Sequence, residues 1–231
     1  MEKLSKVIGI ISYLPSRKAF GITKWFYRVN QLKNLLDKCN EIFKDIPIII
    51  IAQNWPDQLF YNQRDIIVCR YKEPLTIVGA RLELRKKFLE LGCDYLIMLD
   101  GDCQIIGDAV AGEKYLQQID ENPDCWIEFN GTVFKLFAIS KKIYQEIELD
   151  EVHAERNEGW EDGIYFAKLR AYCPEAYRKF KDTGLMEASV SYQDRASLWS
   201  KLGQNFDEMR ANNAAWEKKY EEIAKSRKKD E

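Results

Sequence analysis

The residues with the clearest chemical potential in this chain are Asp100-Gly101-Asp102. They follow directly on the apolar run Tyr95-Leu96-Ile97-Met98-Leu99. A carboxylate at the end of such a run is costly to bury unpaired, so it stays in water or is neutralised by a cation. Hard divalent ions prefer carboxylate oxygens and often share their shell with substrate phosphates. Gly101 leaves room for close approach of a ligand or for an unusual backbone angle. The pattern suits a diphosphate bridged to the protein by Mn2+ or Mg2+, with Asp102 and Asp100 as metal-side residues. The plain alternative is a solvated loop carrying two acids.

A second acidic pair, Glu161-Asp162, follows Gly159-Trp160. A carboxylate can take the proton of a hydroxyl nucleophile. Acids at a helix start also favour the helix dipole, which is the structural alternative. Trp160 could stack on the apolar face of a sugar or simply pack.

The segments around these residues alternate strand and helix. Residues 6–13 (KVIGIISY) read as a buried first strand, and residues 23–43 carry apolar side chains at helical spacing. Residues 48–52 are a β-branched run without alternation, as expected of a strand covered on both faces, and 65–70 are a third candidate strand. Residues 76–91 form an amphipathic helix that Gly92 stops, and 95–99 are a fourth strand ending in Asp100. Such alternation predicts an α/β fold with a mostly parallel, Rossmann-like central sheet flanked by helices. Ligands of these sheets sit beyond the carboxyl ends of the strands, where Asp100-Gly101-Asp102 lies. Further on, a short helix is expected over 110–121. A strand pair is expected over 124–130 and 133–139, around the hairpin dipeptide Asn130-Gly131. Helices are expected over 140–148, over 161–172 and in a C-terminal tail from about 196.

The Asp-Gly-Asp context, Cys93-Asp94-Tyr95-Leu96-Ile97-Met98-Leu99-Asp100-Gly101-Asp102-Cys103, resembles the DxD region of the GT-A-fold glycosyltransferases. Upstream, VGARLELRKKFL resembles the helix that precedes the DxD strand in that fold, where an Arg in several members faces the donor phosphates or the DxD carboxylates. Arg81 is the matching position; its alternative is a surface helix charge. Downstream, NEGWEDGI resembles the acceptor-side Gly-Trp…Glu-Asp motif of some inverting members, although their fuller motif often has an extra Gly before the acidic pair. The resemblance covers roughly residues 6–170.

It implies a metal-dependent glycosyltransferase that moves a sugar from a nucleotide-sugar, with UDP favoured, to an acceptor hydroxyl. Asp102 would contact the metal, and Asp100 the ribose or a metal-bound water. Asp162 would be the base and Glu161 would hold an acceptor hydroxyl. Trp160 and Asn130 would line the acceptor side. Ser12 and Tyr13, at the first-strand exit, would meet the nucleotide base, with Tyr13 stacking on uracil or merely packing. Gln53 and Asn54 are polar groups at the same sheet end. His153, the one histidine, reads as a surface residue, and Asp194 is a weak candidate for a later ligand. The expected division is a catalytic unit over 1–195, with a nucleotide-sugar half to about 105 and an acceptor half beyond, followed by the tail at 196–231. The acceptor is open: glycan, protein, lipid-linked sugar or modified nucleic acid.

Bulk composition narrows the classes. The formal net charge of −2 supplies no global basic field for nucleic acid. The 6 cysteines show no CxxC spacing, so a zinc cluster is not expected, and reduced thiols in a cytoplasmic protein are. No apolar run approaches membrane-spanning length. The acids of the tail weaken a membrane-surface reading, so packing on the core or on a second subunit, as a homodimer, is expected instead. Three rivals remain: a nucleotidyltransferase, a phosphatase of the haloacid dehalogenase type, and a binding module of the same fold without catalysis. The nucleotidyltransferase would want a Gly-rich basic loop after the first strand, and the phosphatase would want its Asp pair on that first strand.

Overall fold

The structure is a computed structural model that describes residues 4–14, 16–56, 66–73, 75–129, 136–147, 161–180, 186–189 and 206–227. Its centre is a seven-stranded sheet of order β3-β2-β1-β4-β7-β6-β8. The strands are β1 (Lys6–Tyr13), β2 (Ile48–Gln53), β3 (Ile66–Tyr71), β4 (Tyr95–Asp100), β6 (Trp126–Phe129), β7 (Leu136–Ser140) and β8 (Tyr177–Phe180). All run parallel except β7, which pairs antiparallel with both β4 and β6. The mostly parallel α/β sheet expected of a GT-A fold is therefore the sheet observed.

Helices cover both faces, which is why β2 (IIIIAQ) is buried along its whole length and reads as a continuous apolar run. One face carries α2 (Ile22–Ile42) and α4 (Ala109–Glu121), whose Leu32, Leu35, Leu36, Tyr115 and Ile119 pack on Ile8, Ile10, Ile50 and Ile97. A short helix α1 (Arg17–Phe20) precedes α2. The other face carries α3 (Ile77–Leu91), α5 (Lys141–Glu146), α6 (Glu161–Tyr172) and α7 (Phe206–Arg227), packed on Val7, Ile49, Ile51, Leu96 and Met98.

Local capping sets the helix ends. The Thr76 hydroxyl accepts from Gly79 N at 2.9 Å at the start of α3. Gly92 closes the helix at φ 73, a left-handed conformation that favours glycine, and donates to the carbonyls of Leu89 and Phe88. Asp108 and Ser140 cap α4 and α5 in the same way as Thr76.

One feature differs from the sequence expectation. Residues 103–106, which carried no expected element, form β5 (Cys103–Ile106), paired antiparallel with β9 (Met186–Ser189) in a separate ribbon. Both strands are four residues long, and their partners lie 80 or more positions apart, so no local pattern announces them. The expected tail helix is described over Phe206–Arg227, and residues 196–205 lie outside the described set. Its apolar side packs back onto α6: Tyr220 is buried, its ring 6.1 Å from Tyr172, and Trp216 stacks on Tyr220 at 6.1 Å.

None of the six cysteines is in a disulfide. Burial pushes the Cys39 thiol up to about 12 and raises Cys69, Cys93, Cys125 and Cys173 as well, so these are packing groups rather than nucleophiles. No helix among the described residues is long and apolar enough to cross a membrane.

At the amino end of β1, Lys6 is 7% exposed and its ammonium pairs with Asp120 of α4. Leu4 N also donates to Asp120 Oδ1, at 3.0 Å. Breaking a buried pair strands the remaining charge, at a cost of about 3–5 kcal/mol. Asp120→Asn is therefore expected to lower stability by ~3 kcal/mol in urea denaturation. An unchanged midpoint would show that Lys6 finds water or another partner.

Candidate functional site

The carboxyl ends of β1 and β4 build the floor of the site. Ile11 and Asp100 are register partners, and Gly101 N extends the ladder by donating to Ile11 O at 2.8 Å. Gly101 then lies against Ser12. A Cβ added at Gly101 would sit 2.4 Å from Ser12 Oγ, 2.6 Å from Ser12 Cβ and 2.9 Å from Ile11 O. The residue between the two aspartates is a glycine because no side chain fits between β1 and the turn.

Asp100 and Asp102 leave this turn toward different partners. Asp100 Oδ1 lies 3.5 Å from Arg81 Nη2. Arg81 is on the buried side of α3 with Val78, Leu84 and Phe88, and it is 4% exposed. The surface-charge alternative for Arg81 is thereby corrected, because a buried guanidinium needs a carboxylate and Asp100 supplies one. The backbone of α3 is fixed there by Tyr144 of α5, whose hydroxyl donates to Arg81 O at 3.3 Å. Arg85 Nε returns a bond to Tyr144 O at 3.3 Å.

Asp102 is more deeply placed, 6% exposed, and its Oδ2 lies 3.7 Å from Arg28 Nη1 on α2. Gln31, one helical turn on, donates Nε2 to Asp102 O at 2.8 Å and accepts from Arg28 Nη1 at 3.3 Å. Asp102 also stands at the junction between the large sheet and the ribbon, since β5 begins at the next residue.

The strand exits beside the aspartates are tied together. Leu14 N donates to Gln53 O at 3.0 Å, and Asn54 Nδ2 to Leu14 O at 2.7 Å. Trp55 Nε1 donates to Ser12 O at 3.2 Å. Gln53 is buried, and its Oε1 accepts from Leu75 N at 2.7 Å, which anchors the entry to α3. Gln53 and Asn54 therefore frame the site. Ser12 is buried with its hydroxyl against Gly101, whereas Tyr13 is partly exposed at the β1 exit. Burial raises the Tyr13 phenol above its ordinary value, so the ring stays neutral at working pH.

The structure thus brings Ser12, Tyr13, Arg81, Asp100 and Asp102 to one edge of the sheet. Glu161 and Asp162 open α6, as expected, but their side chains lie outside the described set. Trp160, Asn130, His153 and Asp194 lie outside the described residues altogether. Sequence reasoning does not anticipate Arg28, Gln31 or Trp55. The available signal was the i, i+3 spacing of Arg28 and Gln31 on the flank of the helix that follows β1.

Two carboxylates on one turn are the hard-oxygen donors that Mg2+ or Mn2+ takes. Among the described residues no group of three or more His, Cys, Asp or Glu converges on one point. Cations of this kind commonly take part of their shell from phosphates and water, so two carboxylates need not form an all-protein cage.

No protein-family model matches the chain, and no curated protein matches it in sequence. Solved structures match its fold. The 1–349 portion of S. aureus TarS, solved with UDP-GlcNAc, superposes with a TM-score of 0.58 at 14% identity, covering 96% of this chain and 70% of that one. The chain spans 38% of the longer TarS structure. GalNAc-T7, solved with UDP, GalNAc and Mn2+, matches at TM-score 0.50 and 12% identity over 81% of this chain and 44% of that one. The 4-diphosphocytidyl-2C-methyl-D-erythritol synthase of Anaerococcus prevotii matches at 0.53 and 14%, over 87% and 97%. At these identities the likeness is one of fold.

Gly101→Ala is expected to push β1 and the turn apart. Overpacking of this kind costs ~1–3 kcal/mol. It would be read as a Tm lowered by several degrees in thermal unfolding. An unchanged Tm would mean that Ser12 gives way instead.

Proposed function

We propose that this chain is a metal-dependent glycosyltransferase that takes a sugar from a nucleotide-sugar, with a UDP-sugar favoured, and passes it to an acceptor hydroxyl. The observation that carries the reading is the Asp100-Gly101-Asp102 turn at the carboxyl end of β4, with the buried Arg81 beside Asp100. In an open α/β sheet that edge is where nucleotides bind. The fold likeness to structures solved with UDP-GlcNAc and with UDP and Mn2+ supports the same choice.

Asp100 and Asp102 would hold a divalent ion, which supplies charge neutralisation to the departing nucleoside diphosphate. Arg81 adds a fixed positive charge at the phosphate side. Ser12 and Tyr13 border the place of the base, and Tyr13 offers a neutral ring face. Asp162, at the start of α6, takes the acceptor proton as the acceptor oxygen bonds to the sugar's anomeric carbon and the bond to phosphate breaks. Glu161, Trp160 and Asn130 belong to the acceptor side. On this reading residues up to about 105 serve the donor, and those from about 106 to 195 serve the acceptor.

Two measurements test the proposal. UDP, GDP and CMP are each added with and without Mn2+ during thermal unfolding. One nucleoside diphosphate is expected to stabilise the protein only with metal, by ~2.7 kcal/mol at a hundredfold excess over Kd. For a chain of this size that is a Tm gain of roughly 5–10 °C, and Asp102→Ala should abolish it. No shift with any nucleotide at millimolar concentration overturns the reading. A nucleotidyltransferase would instead release pyrophosphate from a nucleoside triphosphate.

For the base, Asp162→Asn should lower sugar transfer at least ~100-fold, the usual range for loss of general-base catalysis. Nucleotide stabilisation should be left intact. Transfer that survives this change removes Asp162 from the role.

A further inference from the structure

The basic residues of α1 and the first half of α2 stand out against a chain of net charge −2. From Arg17 to Lys33 the sequence carries Arg17, Lys18, Lys24, Arg28 and Lys33 and no acid. Among these five, Arg28 faces an aspartate of the site. It reaches Asp102 from the helix that follows β1, on the opposite face of the sheet from the α3 helix that delivers Arg81.

The contact has two separable parts. Gln31 fixes the main chain of Asp102 through a 2.8 Å bond to its carbonyl. Arg28 faces its carboxylate, 3.7 Å from Oδ2. The carboxylate is 8% exposed and the Arg28 side chain 25% exposed. The acid is therefore withdrawn from water while the cation beside it keeps access to solvent and freedom to turn. A carboxylate so placed is neutralised by Arg28 in the absence of any other cation.

We propose that Arg28 is a positioning residue that holds Asp102 as its counter-ion and competes with the divalent cation for it. The proposal rests on the reading of Asp100-Gly101-Asp102 as a metal site. When a divalent ion takes Asp102, the guanidinium keeps Gln31 but loses its counter-charge and stands near a doubly charged neighbour. That repulsion weakens binding of the metal by itself. A singly and a doubly charged cation about 6 Å apart in water repel enough to change an affinity about tenfold.

The test is Mn2+ alone, titrated into wild type, Arg28→Gln and Arg28→Lys, with free Mn2+ read by electron paramagnetic resonance. Circular dichroism melts check that each variant folds, and Arg28→Met serves as the uncharged variant if Arg28→Gln does not. Gln31 still anchors the backbone in each, so the change removes charge and leaves the turn in place. The uncharged variant is expected to bind Mn2+ about tenfold more tightly than wild type. Arg28→Lys should stay within about threefold of wild type, because it keeps the charge.

A merely structural role predicts the opposite sign, since losing support for Asp102 would weaken the metal. Wild type that binds Mn2+ alongside an uncharged variant that binds equally or less tightly overturns the proposal and leaves the metal site standing. No binding by wild type with binding by the uncharged variant supports it. No binding by either overturns the metal site and this proposal together.

Discussion

Desolvation of charge is the constraint on which the rest of this structure depends. Among the described residues four side chains that carry charge at neutral pH are buried: Lys6, Arg81, Asp102 and Glu128. Each lies beside an opposite charge, namely Asp120, Asp100, Arg28 and Lys179. An uncompensated charge in such a place would cost several kcal/mol, so these pairs dictate which helix can lie against which strand. Arg81 fixes α3 over β4, Arg28 fixes α2 against the turn after it, and Lys6 fixes α4 at the far end of β1. The candidate site is where two of the four meet across a single glycine.

Much of this was legible in the sequence, for a physical reason. Strands covered on both faces must be apolar throughout, and β1, β2 and β4 announce themselves as unbroken runs ending in polar residues. The position of Asp100-Gly101-Asp102 at a strand's carboxyl end followed from that pattern. Gly92 as the stop of α3 and the antiparallel pairing of β6 with β7 were readable from the same local chemistry.

What was not legible depends on contacts distant in sequence. Whether Arg81 faced water or the aspartates could not be read from a helix whose moment is weak, and the fold decided it by burying the residue. Arg28 and Gln31 occupy the flank of α2, but no pattern says that the Asp102 turn will lie there. β5 and β9 find each other only after the sheet exists. Short strands joined by tertiary context leave little trace in composition. The acceptor side was reached by motif alone, and the side chains that would compose it are not among those described.

The docking of α7 on α6 has a consequence for how the chain is made. Tyr220 meets Tyr172, Lys168 lies 5.3 Å from the Tyr220 ring, and Arg227 donates to Ala171 O. These partners are about fifty residues apart. At translation rates of about 5–20 residues per second, α6 emerges some 3–10 seconds before the helix that covers it. During that interval an aromatic strip that the finished protein hides is open to solvent on the nascent chain. The covering of α6 therefore waits on a segment made about fifty residues later.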